Sequence, residues 1–158
     1  MNKWLLFLAC SCLLRTGYGQ TLTIAGAVSQ SLTLKSDALT AMPHTTVTGK
    51  DHDGQSHRYS GVPVADLLKQ AGVTLGNELR GKNLVKYAVV RASDGYEAVF
   101  ALPELDPDFA TRTIILADAV DGEPLTAATG PYRIVVPDEK KQARWVRQVQ
   151  AIEICVAR

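Results

Sequence analysis

Cysteine is almost absent from this chain. Of three in 158 residues, Cys10 and Cys12 fall in the first twenty, which leaves Cys155 alone beyond them. A single thiol cannot close an internal bridge, so a disulfide framework is excluded and the domain must stand on its packing. Long apolar runs are missing too. The longest, Trp4 to Leu14, is about 11 residues, whereas a membrane-spanning helix takes roughly 20. Neither sign of charge predominates: 17 Lys and Arg face 16 Asp and Glu. That balance argues against non-specific nucleic-acid binding, which needs a cationic face. There is no GxSxG, GxGxxG or GxxxxGK, so an ordinary serine hydrolase or nucleotide enzyme is not expected. No HxxxH or CxxC spacing marks a metal site.

Apolar residues make up 46 % of the chain and charged residues 21 %. That is enough apolar surface for one domain of this length to bury a core unaided, and it excludes a disordered polyelectrolyte. The first residues differ from the rest. Lys3 precedes the apolar stretch, and Gly17-Tyr18-Gly19 supplies small residues behind it, the layout of a secretory leader. Residues 1–19 are therefore expected to be a signal peptide cut after Gly19, with an uncleaved anchor as the alternative. Residues 20–158 are then expected to be the exported, periplasmic domain. Removing Lys3 and Arg15 leaves 15 basic against 16 acidic groups and Trp145 as the one tryptophan.

Alternating apolar residues predict strands at 21–24, 32–34, 44–48, 84–92, 96–102, 113–117 and 132–137, with a last one at 146–156 broken near Gln150. Ser36-Asp37 could cap a short helix running to Met42. The clearest helix is 62–72, with Pro63 in its first turn, Gly72 as a left-handed stop, and Val64, Leu67, Leu68 and Ala71 on one face. Asp94-Gly95 and Asp121-Gly122 mark tight turns. Cys155, in a run of apolar residues, reads as a buried structural thiol. Strands scattered among short helices, without βαβ alternation, indicate an α+β domain with mixed or mostly antiparallel sheets.

Candidate chemistry gathers in a few segments. Asp51-His52-Asp53-Gly54-Gln55-Ser56-His57 holds two imidazoles, though Asp53-Gly54 also fits a solvated turn. Polar residues stand at strand ends in 91–97 (Arg91, Asp94, Tyr96, Glu97), at Asp118, in 130–133 (Arg133), and in 140–147 (Arg144, Trp145, Arg147). Taken singly, each of these fits a surface charge or a turn former.

In order, Tyr59-Ser60-Gly61-Val62-Pro63-Val64-Ala65-Asp66-Leu67-Leu68, Ser93-Asp94-Gly95-Tyr96, Asp121-Gly122-Glu123-Pro124-Leu125, Gly130-Pro131-Tyr132-Arg133-Ile134-Val135-Val136-Pro137 and Arg144-Trp145-Val146-Arg147 resemble the molybdopterin-binding domain of the sulfite oxidase family. The resemblance runs from about Leu22 to Val156. It implies a single compact mixed domain that holds a pterin-dithiolene cofactor. It also implies a molybdenum-ligating cysteine ahead of the helix, where Thr46 to Tyr59 contains none. The chain thus looks like a short, exported, cysteine-less branch of the family. Members of that branch resemble periplasmic proteins that bind a reduced pterin and report to a membrane-bound diguanylate cyclase, phosphodiesterase or sensor kinase. A pterin without molybdenum, and no catalysis, is the expectation. A molybdopterin-dependent oxidoreductase or subunit, and a ligand-free interaction scaffold, are the alternatives.

On that resemblance, Trp145 would supply a flat face and Asp94 or Glu97 would accept from the pterin amine edge. Tyr96 would donate or pack at the rim, and Arg91, Arg133 and Arg144 would donate to a carbonyl or phosphate. His52 completes the expected set.

Overall fold

A computed structural model describes residues 20–157, so the expected leader, with Cys10 and Cys12, lies outside the described residues. Two sheets carry the fold. The first joins β1 (Thr21–Gly26), β2 (Leu32–Lys35), β5 (Lys86–Ala92), β6 (Glu97–Ala101) and β10 (Val149–Val156) in the order β2-β1-β10-β5-β6. Only its β1–β10 pair is parallel. The second runs β3 (Thr45–Lys50), β4 (Ser56–Pro63), β7 (Ile115–Val120) and β8 (Glu123–Pro124), with β9 (Arg133–Val135) paired to β7, and is antiparallel throughout. Three short helices, α1 (Ser36–Thr40), α2 (Val64–Gln70) and α3 (Leu102–Leu105), connect them. This is the mixed, single α+β domain that the sequence pattern predicts.

β10 shows how sequence sets register. Val149, Ile152 and Ile154 all face the core, although strict alternation cannot put 149 and 152 on one side. A bulge at Gln150 inserts the extra residue and restores the phase. The expected break near Gln150 is this bulge. Alternation then turns Cys155 to the face opposite Ile154, where it is only partly buried. The expected buried thiol is corrected on that ground: the run is apolar in composition, but the pleat sends every second side chain outward.

α2 buries Val64, Leu67 and Leu68, and Ala71 beyond it, as one stripe. Gly72 stops it in the left-handed region at φ 68°, with Val73 N–H bonded to Leu68 O. Pro63 sits at the N-cap as the last residue of β4, not inside the first turn. The β5–β6 turn differs from a two-residue hairpin: Gly95 alone takes a positive φ, 86°, and Asp94 Oδ1 accepts from Tyr96 N–H at 2.9 Å. At the β7–β8 turn both Asp121 and Gly122 have positive φ, the geometry that Asp-Gly favours. Residues 81–85 form a 3-10 turn instead of the start of a strand, and α1 stops at Thr40.

The second sheet is pinched at Gly61, where a bulge in β7 at Asp118 shifts the register. A Cβ on Gly61 would lie 2.1 Å from Leu116 O and 2.4 Å from Ala117 Cα, and backbone cannot step aside as a flexible side chain can. Gly61→Ala is expected to lower the unfolding free energy by about 1–3 kcal/mol, read from urea denaturation.

Candidate functional site

A cavity of about 270 Å3 opens where the two sheets meet the segment leading into β10. His52 reaches it from the β3–β4 turn, Ala92, Asp94 and Tyr96 from the β5–β6 turn, and Gln142, Ala143, Trp145, Val146 and Arg147 from the third segment. Segments about 40 to 50 residues apart in sequence thus converge. Two hydrogen bonds fix the third wall: Gln142 Nε2 donates to Lys50 O at 2.5 Å, and Tyr96 Oη donates to Ala143 O at 2.7 Å.

Behind that wall lies a buried ion pair. Arg133, on β9, is 2 % exposed. Its Nη1 donates to Asp51 Oδ2 at 2.7 Å and its Nη2 to Asp51 Oδ1 at 3.0 Å. Tyr59 Oη donates to the same Oδ2 at 2.6 Å. Arg133 chiefly, with Tyr59, holds the Asp51 carboxyl well below the ordinary carboxylate range, while burial, with the acidic neighbour, pushes the Tyr59 hydroxyl up. The guanidinium carbon lies 5.1 Å from the Trp145 ring centroid, and Tyr59 meets that indole edge-on at 5.6 Å. Gly49 lies against the far edge of the ring, where a Cβ would stand 2.4 Å from Trp145 Cη2.

His52, Asp94, Tyr96 and Trp145 come together at the cavity as the sequence reading groups them. Trp145 is only 3 % exposed, however, so it forms a wall and not the open stacking face expected of it. The Tyr96 hydroxyl has committed its proton to Ala143 O, which leaves it an acceptor and the ring a rim. The others point elsewhere. Arg133 does not line the cavity; its fork is spent on Asp51. Arg144 turns away from it, donating to Glu139 and Glu104 while lying 4.7 Å over the Phe100 ring. Arg91 and Glu97 pair with one another, and Arg91 also with Glu153, on the outer face of the first sheet.

Sequence reasoning misses Asp51 as the partner of the buried Arg133, because 82 residues separate the two and no local pattern links them. It also leaves out Gln142, and expects Arg144 at the site where Arg147 is the arginine that lines the cavity.

The donor set suits the pterin part of a molybdopterin. Asp94 can accept from an amine and ring N–H, Arg147 and Gln142 can donate to a ring carbonyl, and Trp145 and Tyr96 bound the space. The fit does not extend to a thiolate-ligated metal. Among the described residues no cysteine lines this cavity, and Cys155 stands on the outer face of β10. Among the described residues, no group of three or more His, Cys, Asp or Glu is placed to hold a metal ion.

Asp51→Ala would leave Arg133 buried without its counter-charge. A loss of about 2–4 kcal/mol in unfolding free energy is expected, below the full value for a buried pair because Asp51 keeps some solvent contact. Asp51→Leu with Arg133→Met should recover part of it in the same urea titration. The folded carboxyl is depressed, so its contribution is complete above the ordinary carboxylate range. It is lost only as pH falls through the lower folded value.

Comparison with known proteins supplies the lineage. The family model for the oxidoreductase molybdopterin binding domain matches residues 49–157. An uncharacterized oxidoreductase, YuiH, of Bacillus subtilis strain 168 is 34 % identical over 95 residues, which are 58 % of this chain and 42 % of the relative. The sulfane dehydrogenase SoxCD from Paracoccus pantotrophus shares the fold, with a TM-score of 0.68 at 23 % identity over 85 % of this chain and 38 % of that one. The chain therefore spans less than half the length of either protein. On the strength of the match over residues 49–157, the chain belongs to the family of oxidoreductase molybdopterin binding domains, the sulfite oxidase type.

Proposed function

We propose that this domain holds a pterin in the cavity between His52, Asp94, Gln142, Trp145 and Arg147 and does no chemistry on molybdenum. The observation that carries this reading is the donor set: one carboxylate, one guanidinium, one amide and one imidazole around an apolar wall, with no sulfur among the described residues. Asp94 Oδ1 already accepts from Tyr96 N–H, which fixes the carboxylate and leaves its other oxygen for a ligand. A charge-assisted bond from a 2-amino pterin edge to Asp94 is worth about 1.5–3 kcal/mol. Arg147 opposes it in charge, so the pair can orient a flat ring that donates along one edge and accepts on another.

In this reading the domain is a sensor, not an enzyme. Exported behind residues 1–19, it works in the periplasm, and pterin occupancy is reported to a membrane partner that controls cyclic-di-GMP, either a diguanylate cyclase or phosphodiesterase or a sensor kinase. The leader-like composition of residues 1–19 and the resemblance to the cysteine-less branch support that role.

A second reading has a specific finding behind it. The matching family model and YuiH are both described as oxidoreductases. A domain of that kind would hold a molybdenum cofactor through its pterin alone, or share another subunit's cofactor.

Fluorescence separates these readings, since Trp145 is the one tryptophan beyond the leader and stands in the cavity wall. A tetrahydropterin is expected to quench its emission saturably at micromolar or lower concentration. Asp94→Asn should weaken that binding about tenfold to a hundredfold. Metal analysis of the purified protein should find molybdenum far below one per chain. Stoichiometric molybdenum, or turnover with a dye acceptor, would establish the oxidoreductase instead.

A further inference from the structure

His57 stands at the start of β4 between two turns. Its Nδ1 lies 2.6 Å from Asp121 Oδ2 in the β7–β8 turn, and its Nε2 lies 2.9 Å from Asp53 Oδ2 in the β3–β4 turn. Carboxylates only accept, and a neutral imidazole has a single N–H. The neutral ring could therefore serve one partner, while its bare nitrogen would face the other with lone pair against lone pair. Only the imidazolium serves both.

Neither carboxylate is free to turn aside. Asp121 Oδ1 accepts Arg58 N–H at 2.9 Å, and Asp53 Oδ1 accepts Gln55 N–H at 2.8 Å. The other groups facing the ring offer it no proton partner. Tyr59 lies edge-on at 6.4 Å, Gly49 is its cross-strand neighbour on β3, and the Asp51 carboxylate is taken by Arg133. Arg58, the next residue along β4, goes to the opposite face of the strand beside Thr46 and Ser60, and its positive charge acts on Asp121.

The residue before Asp53 is His52, which lines the cavity. We propose that the charge state of His57 regulates the cavity: the imidazolium clasps the β3–β4 turn to the β7–β8 turn and so fixes the wall that carries His52, and loss of its proton loosens that wall and weakens ligand binding. The ligand half of this inference rests on the pterin reading; the clasp itself does not.

Asp121 first, then Asp53, push His57 up to about 8 from 6.5. A folded value above the unfolded one means the contribution is full below about 6.5 and is lost as pH rises through about 8. His44 is held similarly, between Met42 O and Asp118 Oδ2 at 2.7 and 2.9 Å, so a variant at His57 is needed to isolate the clasp.

Two measurements on the protein test the proposal. In nitrogen-resolved NMR without ligand, His57 should carry protons on both ring nitrogens at pH 6 and titrate near 8; a single proton at pH 6 would overturn it. Anaerobic titration with 6-methyltetrahydropterin should give a Kd that rises roughly threefold to thirtyfold between pH 6 and pH 9. His57→Gln should remove that rise and bind at every pH as the wild type does at pH 9. An equal rise in both proteins would defeat the regulatory claim. If the pterin binds neither protein at any pH, the pterin reading fails, and melting temperature decides the clasp. The fall in Tm from pH 6 to pH 9 must then be larger in the wild type than in His57→Gln, and equal falls would refute it.

Discussion

A guanidinium taken out of water costs several kcal/mol unless its donors meet acceptors of the right shape, and Arg133 is almost wholly taken out of water. The bidentate fork to Asp51 is what makes that burial tolerable. Much follows from it. The hairpin of β3 and β4 must return to within reach of β9, Tyr59 must turn its hydroxyl to the same carboxylate, and Trp145 must lie over the pair. Gly49 is required because the indole leaves no room for a Cβ beneath it. Ile134, next to Arg133, takes Val146 O through its N–H, which ties the Trp145 segment to the strand that supplies the arginine. The ion pair therefore lies one layer behind the cavity, and it sets where three distant stretches of chain can meet.

That layering assigns the polar groups to separate tasks. Arg133, Arg144 and Arg91 all spend their terminal donors on carboxylates within the fold and so stiffen it, and the buried Nε of Arg133 is left without a partner. Asp94, Gln142, Arg147 and His52 stand at the cavity with donor or acceptor capacity left over. Two of the acidic groups ahead of α2, Asp51 and Asp53, are already committed, to Arg133 and to His57. The stretch from which relatives are expected to offer a thiolate thus contributes a strut to the buried Arg133 and a clasped turn, and turns only His52 toward the cavity. A flat, polar heterocycle matches such walls better than a metal in need of a soft protein ligand.

Much of the fold was legible in the chain because its signals are local. The α2 stripe, the Gly72 stop, the Asp121-Gly122 turn and the interruption at Gln150 each depend on a few neighbouring residues. β4 was harder: Ser56-His57-Arg58 opens it with polar residues, and its Tyr59 and Gly61 acquire meaning only against Asp51 and Leu116. The site divided the same way. Asp94 and Tyr96 announce themselves by their turn, and Trp145 by its singularity. Which of Arg133, Arg144 and Arg147 would face the cavity depended on Asp51, Glu139 and Glu104, whose positions no local spacing reveals. Cys155 misled for the opposite reason, since composition suggested burial and the pleat decided exposure.

Native mass spectrometry of the protein as purified from the cells that make it bears most directly on the claim that the cavity holds a pterin without molybdenum. One added mass per chain in the range of a free pterin, lost on unfolding and without the molybdenum isotope envelope, is the expected spectrum. A chain that carries that envelope, or one that stays bare even when supplied with excess tetrahydropterin, would contradict it.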